Sequence, residues 1–258
     1  MRFANRREAG RQLADRLHEH LREAAGPGLG EGARRDEGAG RGRRPGLGDG
    51  TEPSGGHSPG HGPAPGVLVL ALPRGGVPVA AEIAERVSAP LDVFVARKIG
   101  APGQPELAIG ALAGEDPPVF DPRALEFLGV SEDRMAPDVA RERTELHRRE
   151  DRYRGDRPAP ELAGRTVLLV DDGLATGLTA TAAVRALRHH RPAAVVLAVP
   201  VASRQAVEAL EREADEVVAL ATPWDFGSVG QWYDDFAQLT DDDVVTLLNT
   251  STRRTRSP

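Results

Sequence analysis

Apolar residues recur at every fourth position near the start of the chain. Ala9, Leu13, Leu17 and Leu21 share one face of a helix predicted over Asn5–Arg22. The rhythm then stops. Gly26–Gly66 holds about half of the chain's 29 glycines and almost no large apolar side chain. Such a stretch buries too little surface to offset the entropy of ordering it and is expected to be a disordered insertion. Its arginines (Arg34, Arg35, Arg41, Arg43 and Arg44) read as solvated, contact with an acidic partner being the other use for them. His57 and His61 lack the further ligands a metal site needs.

Beyond Gly66 short apolar runs alternate with segments of helical period. Strands are predicted at Val67–Leu72, Leu91–Ala96, Leu107–Ala113, Val119–Phe120, Thr166–Val170, Ala194–Val199 and Glu216–Leu220. Helices are predicted at Val79–Val87, from a cap at Ser131 to about Tyr153, at Thr179–His190 and at Ser203–Glu213, and Gly100–Gln104 reads as a loop. Buried strands of five or six residues separated by helices imply an α/β fold with a mostly parallel sheet covered on both faces. Ligands of such sheets bind beyond the carboxyl ends of the strands, so the segments directly after the strands matter most.

Composition changes this picture little. With 258 residues, 40% of them hydrophobic, a sizeable core is available, and a net charge of −6 gives no reason to expect nucleic acid or a membrane as partner. Zero cysteines exclude disulfides, thiolate metal sites and a cysteine nucleophile. The first residues have no apolar core of signal-peptide type and no run of 18 apolar residues occurs, so a cytoplasmic location is expected.

The chemistry concentrates in Thr166-Val-Leu-Leu-Val-Asp171-Asp172-Gly173-Leu174-Ala175-Thr176-Gly177-Leu178-Thr179. A buried strand ends in two carboxylates, and a small, hydroxyl-rich turn then opens a helix. Gly173, Ala175 and Gly177 let amides approach an anion closely, the helix N-terminus aims its orphan N–H groups at the same point, and Thr176 and Thr179 add hydroxyls. Carboxylates beside a phosphate cradle make sense if they accept protons from the hydroxyls of a sugar that carries the phosphate. A ribose 5-phosphate suits this arrangement. The missing Gly-Lys-Ser/Thr excludes a Walker A loop.

Four apolar residues, two acids, three residues and Thr-Gly-x-Thr resemble the 5-phosphoribosyl 1-diphosphate (PRPP) loop of type I phosphoribosyltransferases. The resemblance implies that fold, a mostly parallel central sheet with flanking helices and a small C-terminal hood. It divides the chain into a helix at 1–25, the insertion at 26–66, a core at 67–222, a hood and C-terminal helix at 223–250 and a disordered tail at 251–258. Leu72-Pro73-Arg74-Gly75-Gly76 is similar to the family's pyrophosphate loop, in which a cis peptide is expected between Pro73 and Arg74. Val95-Ala-Arg97-Lys98 and the residues up to Gly110 resemble the mobile catalytic loop, which places Arg97 and Lys98 with Arg74 at the diphosphate. Both tryptophans fall in Pro223–Phe236, and Trp224 and Phe226 are the candidates for the pocket of the accepting base. Val67–Leu248 is similar throughout to a stand-alone bacterial group known only provisionally as phosphoribosyltransferases.

The resemblance implies displacement of pyrophosphate from ribose C1 by a nitrogen nucleophile, with Mg²⁺ bridging diphosphate and ribose, held by Asp171 and Asp172 directly or through water. PRPP and a small acceptor are the partners implied, and a homodimer is left open. Ala175 stands where enzymes for 6-oxopurines carry an aspartate that contacts the purine, which argues against hypoxanthine or guanine. The adenine type has alanine there; the base stays open. A non-catalytic PRPP-binding regulator is the alternative function, against which stand the retained Arg74, Arg97 and Lys98.

Overall fold

A computed structural model describes residues 1–24 and 66–256. The insertion expected over 26–66, Gly66 apart, lies outside the described residues, together with its arginines and histidines. Five parallel strands form the main sheet in the order β2 (Leu91–Val93), β1 (Val67–Ala71), β6 (Thr166–Val170), β7 (Ala194–Val201) and β8 (Glu216–Ala221). Successive side chains of a strand point to opposite faces. On β1, Val69 and Ala71 accordingly join one core with α1 (Arg6–Ala24) and α2 (Gly76–Arg86), while Leu68 and Leu70 join the other with α5 (Leu178–His189) and α6 (Arg204–Leu210). The α/β class and the covered, mostly parallel sheet are as expected.

A second sheet is antiparallel: β3 (Ala96–Ala101), β4 (Gln104–Ala113) and β5 (Val119–Phe120). Here the structure corrects two expectations. Leu91–Ala96 is not one strand. The chain leaves the parallel sheet after the Phe94 amide donates to the Ala71 carbonyl at 3.0 Å, and β3 then begins in the other sheet. Gly100–Gln104 is not an open loop but the end of a hairpin turning at Pro102-Gly103. Proline presets the first central position and Gly103, at φ 75°, takes the left-handed second one.

Three further boundaries differ. Ser131 caps only the single turn Asp133–Met135, its Oγ accepting from the Arg134 amide at 3.4 Å; α4 itself runs from Ala136 to Arg154 with Pro137 in its first turn. Helix α3 (Pro122–Leu128) was not predicted. It is too short for a periodic signal, although Asp121 caps it through the amides of Arg123 and Ala124, and Gly129 ends it at φ 62°. Helix α7 (Asp241–Arg256) continues through positions expected to be a disordered tail, where no glycine or proline interrupts it. No described helix is long and apolar enough to cross a membrane.

The amino-terminal helix is part of the core rather than an appendage. Leu13 and Leu17 are fully buried against α2. Leu13→Ala should lower unfolding stability by about 2–4 kcal/mol in urea titrations, as expected for a buried leucine. A loss under about 0.5 kcal/mol would mean that α1 is only loosely attached.

Candidate active site

β1 and β6 are hydrogen-bonded neighbours, with Ala71 opposite Val170 at their carboxyl ends. The helix after β1 covers one face of the sheet and the helix after β6 the other. The crevice between them is the switch point at which ligands of such sheets bind. Two loops emerge there side by side. The first, Leu72–Gly76, carries a cis peptide between Pro73 and Arg74, as the resemblance implies. Glycine is obligatory in it: a Cβ on Gly75 would lie 2.0 Å from Asp172 Oδ2, and one on Gly76 2.5 Å from the Val170 carbonyl oxygen.

The second loop, Asp171–Thr179, is pinned from behind. The Leu174 amide donates to the Val201 carbonyl and the Ser203 amide to the Leu174 carbonyl, both at 2.9 Å, and Ser203 Oγ donates to the Ala175 carbonyl at 2.6 Å. Gly177, at φ 76°, turns the chain into α5. Among the described residues the amides of Ala175, Thr176, Gly177, Thr179 and Ala180 have no hydrogen-bond partner, and that of Leu178 has only Thr176 Oγ1 at 3.5 Å. Ala175 and Thr176 are exposed. An array of free amides at the positive end of a 12-residue helix has the geometry and polarity that suit an anion.

Beside it the two acids are in unlike surroundings. Asp171 Oδ1 accepts from the Asp172 amide at 2.8 Å. Asp172 is buried, with Oδ2 receiving Arg6 Nε at 2.7 Å and its backbone carbonyl receiving the Tyr233 hydroxyl at 2.6 Å. Burial raises the pKa of Asp171 well above the ordinary carboxylate range, and the charge of Asp172 adds to this. Burial also raises Asp172, with Arg6 acting in opposition.

Both aspartates and the amide loop open on a cavity of about 650 Å³ whose far wall includes Arg97 and Lys98 on β3 and Arg141, Glu142 and Arg149 on α4. Lys98 is exposed, whereas both Nε and Nη2 of Arg97 donate to Glu142 Oε2, at 3.0 and 2.6 Å. Arg74 does not line this cavity. It faces a smaller one of about 330 Å³, shared with Arg6, Asp172 and Phe236, and its guanidinium lies 3.8 Å from Asp241. Neither base-pocket candidate lies on the main wall. Trp224 is 84% exposed, with the Arg204 guanidinium 3.1 Å above its ring, and Phe226 packs in the aromatic cluster of Phe3 and Tyr233. Val229 and Phe236 face the cavity instead. The short turn Val229–Trp232 carries Val229 over Gly173, where a Cβ would come within 2.6 Å of Val229 Cγ1. Phe236 belonged to the aromatic cluster already noted in the sequence, but nothing there pointed to Arg6 or to the residues of α4. Among the described residues no group of three or more histidines and acids forms a ready metal site.

Comparison with known proteins bears on the same segments. The profile of the phosphoribosyl transferase domain family matches residues 63–234. A provisionally named phosphoribosyl transferase of Mycobacterium tuberculosis, found in two strains, is 47% identical over 189 residues, which are 72% of this chain and 42% of that protein. The chain thus spans less than half the length of the curated relatives it matches. The crystal structure of TT1426 from Thermus thermophilus is 41% identical, covers 96% of this chain and 98% of its own, and superposes with a TM-score of 0.64.

Because its folded-state pKa is raised, Asp171 costs stability when ionised. The cost is absent below the ordinary carboxylate pKa and complete above the raised one. Asp171→Asn, which keeps the oxygen that accepts from the Asp172 amide, should therefore raise the melting temperature at pH 7 by roughly 2–4 °C, the effect of about 1 kcal/mol in a chain of this size. The gain should vanish near pH 4. A variant less stable than wild type at pH 7 would contradict this account of the site.

Proposed function

The chain belongs to the phosphoribosyl transferase family, and from that premise we propose that it transfers a 5-phosphoribosyl group from PRPP to a nitrogen nucleophile, a nucleobase or related amine, with release of pyrophosphate. The observation that carries this reading is the set of amides at Ala175, Thr176, Gly177, Thr179 and Ala180, without a partner among the described residues, next to the half-buried carboxylate of Asp171 and the buried one of Asp172. Amides suit the 5-phosphate; carboxylates suit the 2- and 3-hydroxyls of the same sugar. In the reaction the bond from ribose C1 to the diphosphate oxygen breaks, a bond from C1 to nitrogen forms, and the nitrogen gives up a proton.

The protein's own part is positioning and charge. Asp171 and Asp172 hold the sugar, and the loop Gly173–Thr179 anchors its phosphate. Lys98, close enough to lower the pKa of both acids, is the cation best placed to meet the diphosphate. Arg97 and Arg74 join it by exchanging Glu142 and Asp241 for phosphate oxygens, the charge-assisted pairing guanidinium favours. Gly75 and Gly76 bring backbone close to the same group. Two adjacent carboxylates fit a Mg²⁺ ion that arrives on the substrate, since this ion is commonly held by one or two carboxylates together with phosphate oxygens. It would neutralise charge on the departing diphosphate. Val229 and Phe236 are better placed than Trp224 or Phe226 to meet the acceptor.

One observation favours the regulatory alternative, in which PRPP is bound but not consumed. Both arginines meant for the leaving group are paired with the protein's own acids in the free chain. A mass-spectrometric screen of bases with PRPP and Mg²⁺, following pyrophosphate release, separates the readings. Turnover with at least one base is expected; binding without turnover would favour the regulator. In calorimetry, Asp171→Asn with Asp172→Asn should abolish PRPP binding in a chain that still melts cooperatively, and unchanged affinity would refute the proposed use of the loop.

A further inference from the structure

Arg6 stands 166 positions before Asp172, yet the two form a nearly dry ion pair, with side chains only 11% and 13% exposed. Arg6 makes two more contacts. Its Nη1 donates to the Ala237 carbonyl at 2.9 Å, and its guanidinium lies 3.7 Å from the centroid of the Phe236 ring. Phe236 stacks on Tyr233 at 5.0 Å, and Tyr233 in turn donates its hydroxyl to the Asp172 carbonyl. Asp172 is thus gripped through side chain and backbone by one assembly.

That assembly joins the amino-terminal segment to the stretch between β8 and α7. The Phe3 amide donates to the Trp232 carbonyl at 2.8 Å, and the amides of Asp234 and Asp235 donate to the carbonyls of Phe3 and Ala4, both at 2.9 Å. Arg6 follows directly from this stitched segment and is held by it. Among the described residues Asp171 has no such anchor. The described contacts of its side chain include one hydrogen bond, from the next amide along the chain.

We propose that Arg6 is a positioning residue of the ligand loop: by fixing Oδ2 of Asp172 it keeps the paired carboxylates aimed at the sugar hydroxyls. Asp171 is left free to adjust to the ligand while Asp172 stays put. This rests on the phosphoribosyl reading given above. Arginine suits the task because its planar fork serves a carboxylate, a carbonyl and a ring face at once, whereas lysine offers a single point charge. Without Arg6 a buried carboxylate loses its partner and is drawn toward water, away from the pose that accepts hydroxyl protons.

Two ligands separate this role from general support of the fold. Ribose 5-phosphate engages the acids and the amide cradle, inorganic phosphate the cradle alone. Calorimetry on the full chain should show Arg6→Met binding ribose 5-phosphate at least about tenfold more weakly, a loss of the size expected for one charged hydrogen bond, with phosphate affinity unchanged. Arg6→Lys should fall between this variant and wild type. Arg6→Met matching wild type, Arg6→Lys as weak as Arg6→Met, or both ligands weakened in step would overturn the proposal. Should Arg6→Met fail to fold, Arg6→Lys decides alone: selective loss of ribose 5-phosphate supports the role, and wild-type affinity or equal loss of both ligands refutes it. A wild-type chain that ignores ribose 5-phosphate would remove the phosphoribosyl reading itself, a failure visible before any variant is made.

Discussion

Two carboxylates on adjacent residues repel each other, and burying them at a strand tip strengthens the repulsion because water no longer screens it. Much of the architecture around Asp171 and Asp172 answers that constraint. Arg6 supplies a direct counter-charge, Lys98 a more distant one, and the positive end of α5 faces the same crevice. Gly75 lets the first loop close against the Asp172 carboxylate, which a side chain there would push aside. Such an arrangement costs stability in the free chain. In the proposed function a ligand with hydroxyl donors would offset that cost, since each donor satisfies an acid already in place.

The cations tell a complementary story. Arg97 rests on Glu142, and Arg74 lies within reach of Asp241, which also receives the Tyr153 hydroxyl at 2.6 Å and Arg148 at 3.3 Å. Burial works against the charge on Asp241, but these donors hold its pKa below the ordinary value. In the proposed reaction a diphosphate would take over pairs that already exist rather than fill an empty basic pocket. Exchanging one carboxylate for a phosphate oxygen leaves the guanidinium satisfied before and after, so binding need not desolvate a bare charge. Helices α4 and α7, which carry those acids, are thereby linked to the site, although α4 follows the antiparallel sheet and α7 comes only after the turn Val229–Trp232 beyond β8.

What the sequence disclosed and what it hid divide along physical lines. The β6–loop–α5 unit was legible because its signals are local: an apolar run, two acids and small residues at fixed spacing before a helix. The Leu72–Gly76 loop was legible only through its resemblance to the family's pyrophosphate loop, because Arg-Gly-Gly alone is also the pattern of a plain turn. The hairpin Ala96–Ala113 was misread at its turn because Pro102 and Gly103 sit among further glycines and prolines that look like a longer loop. Trp224 drew attention as one of two tryptophans, yet the fold leaves it on the surface under Arg204. Arg6 was invisible, since its partner is fixed only when the amino-terminal segment meets residues 232–235. Contacts that depend on tertiary closure leave no spacing to read.

The central claim is a site at the tip of β6 where amides hold a phosphate and carboxylates hold the sugar bearing it. A crystal structure of the chain with ribose 5-phosphate tests it most directly. The account predicts the phosphate within hydrogen-bonding distance of the amides between Ala175 and Ala180, and at least one ribose hydroxyl on the carboxylate of Asp171. A phosphate seated elsewhere, or a sugar turned away from both aspartates, would contradict it.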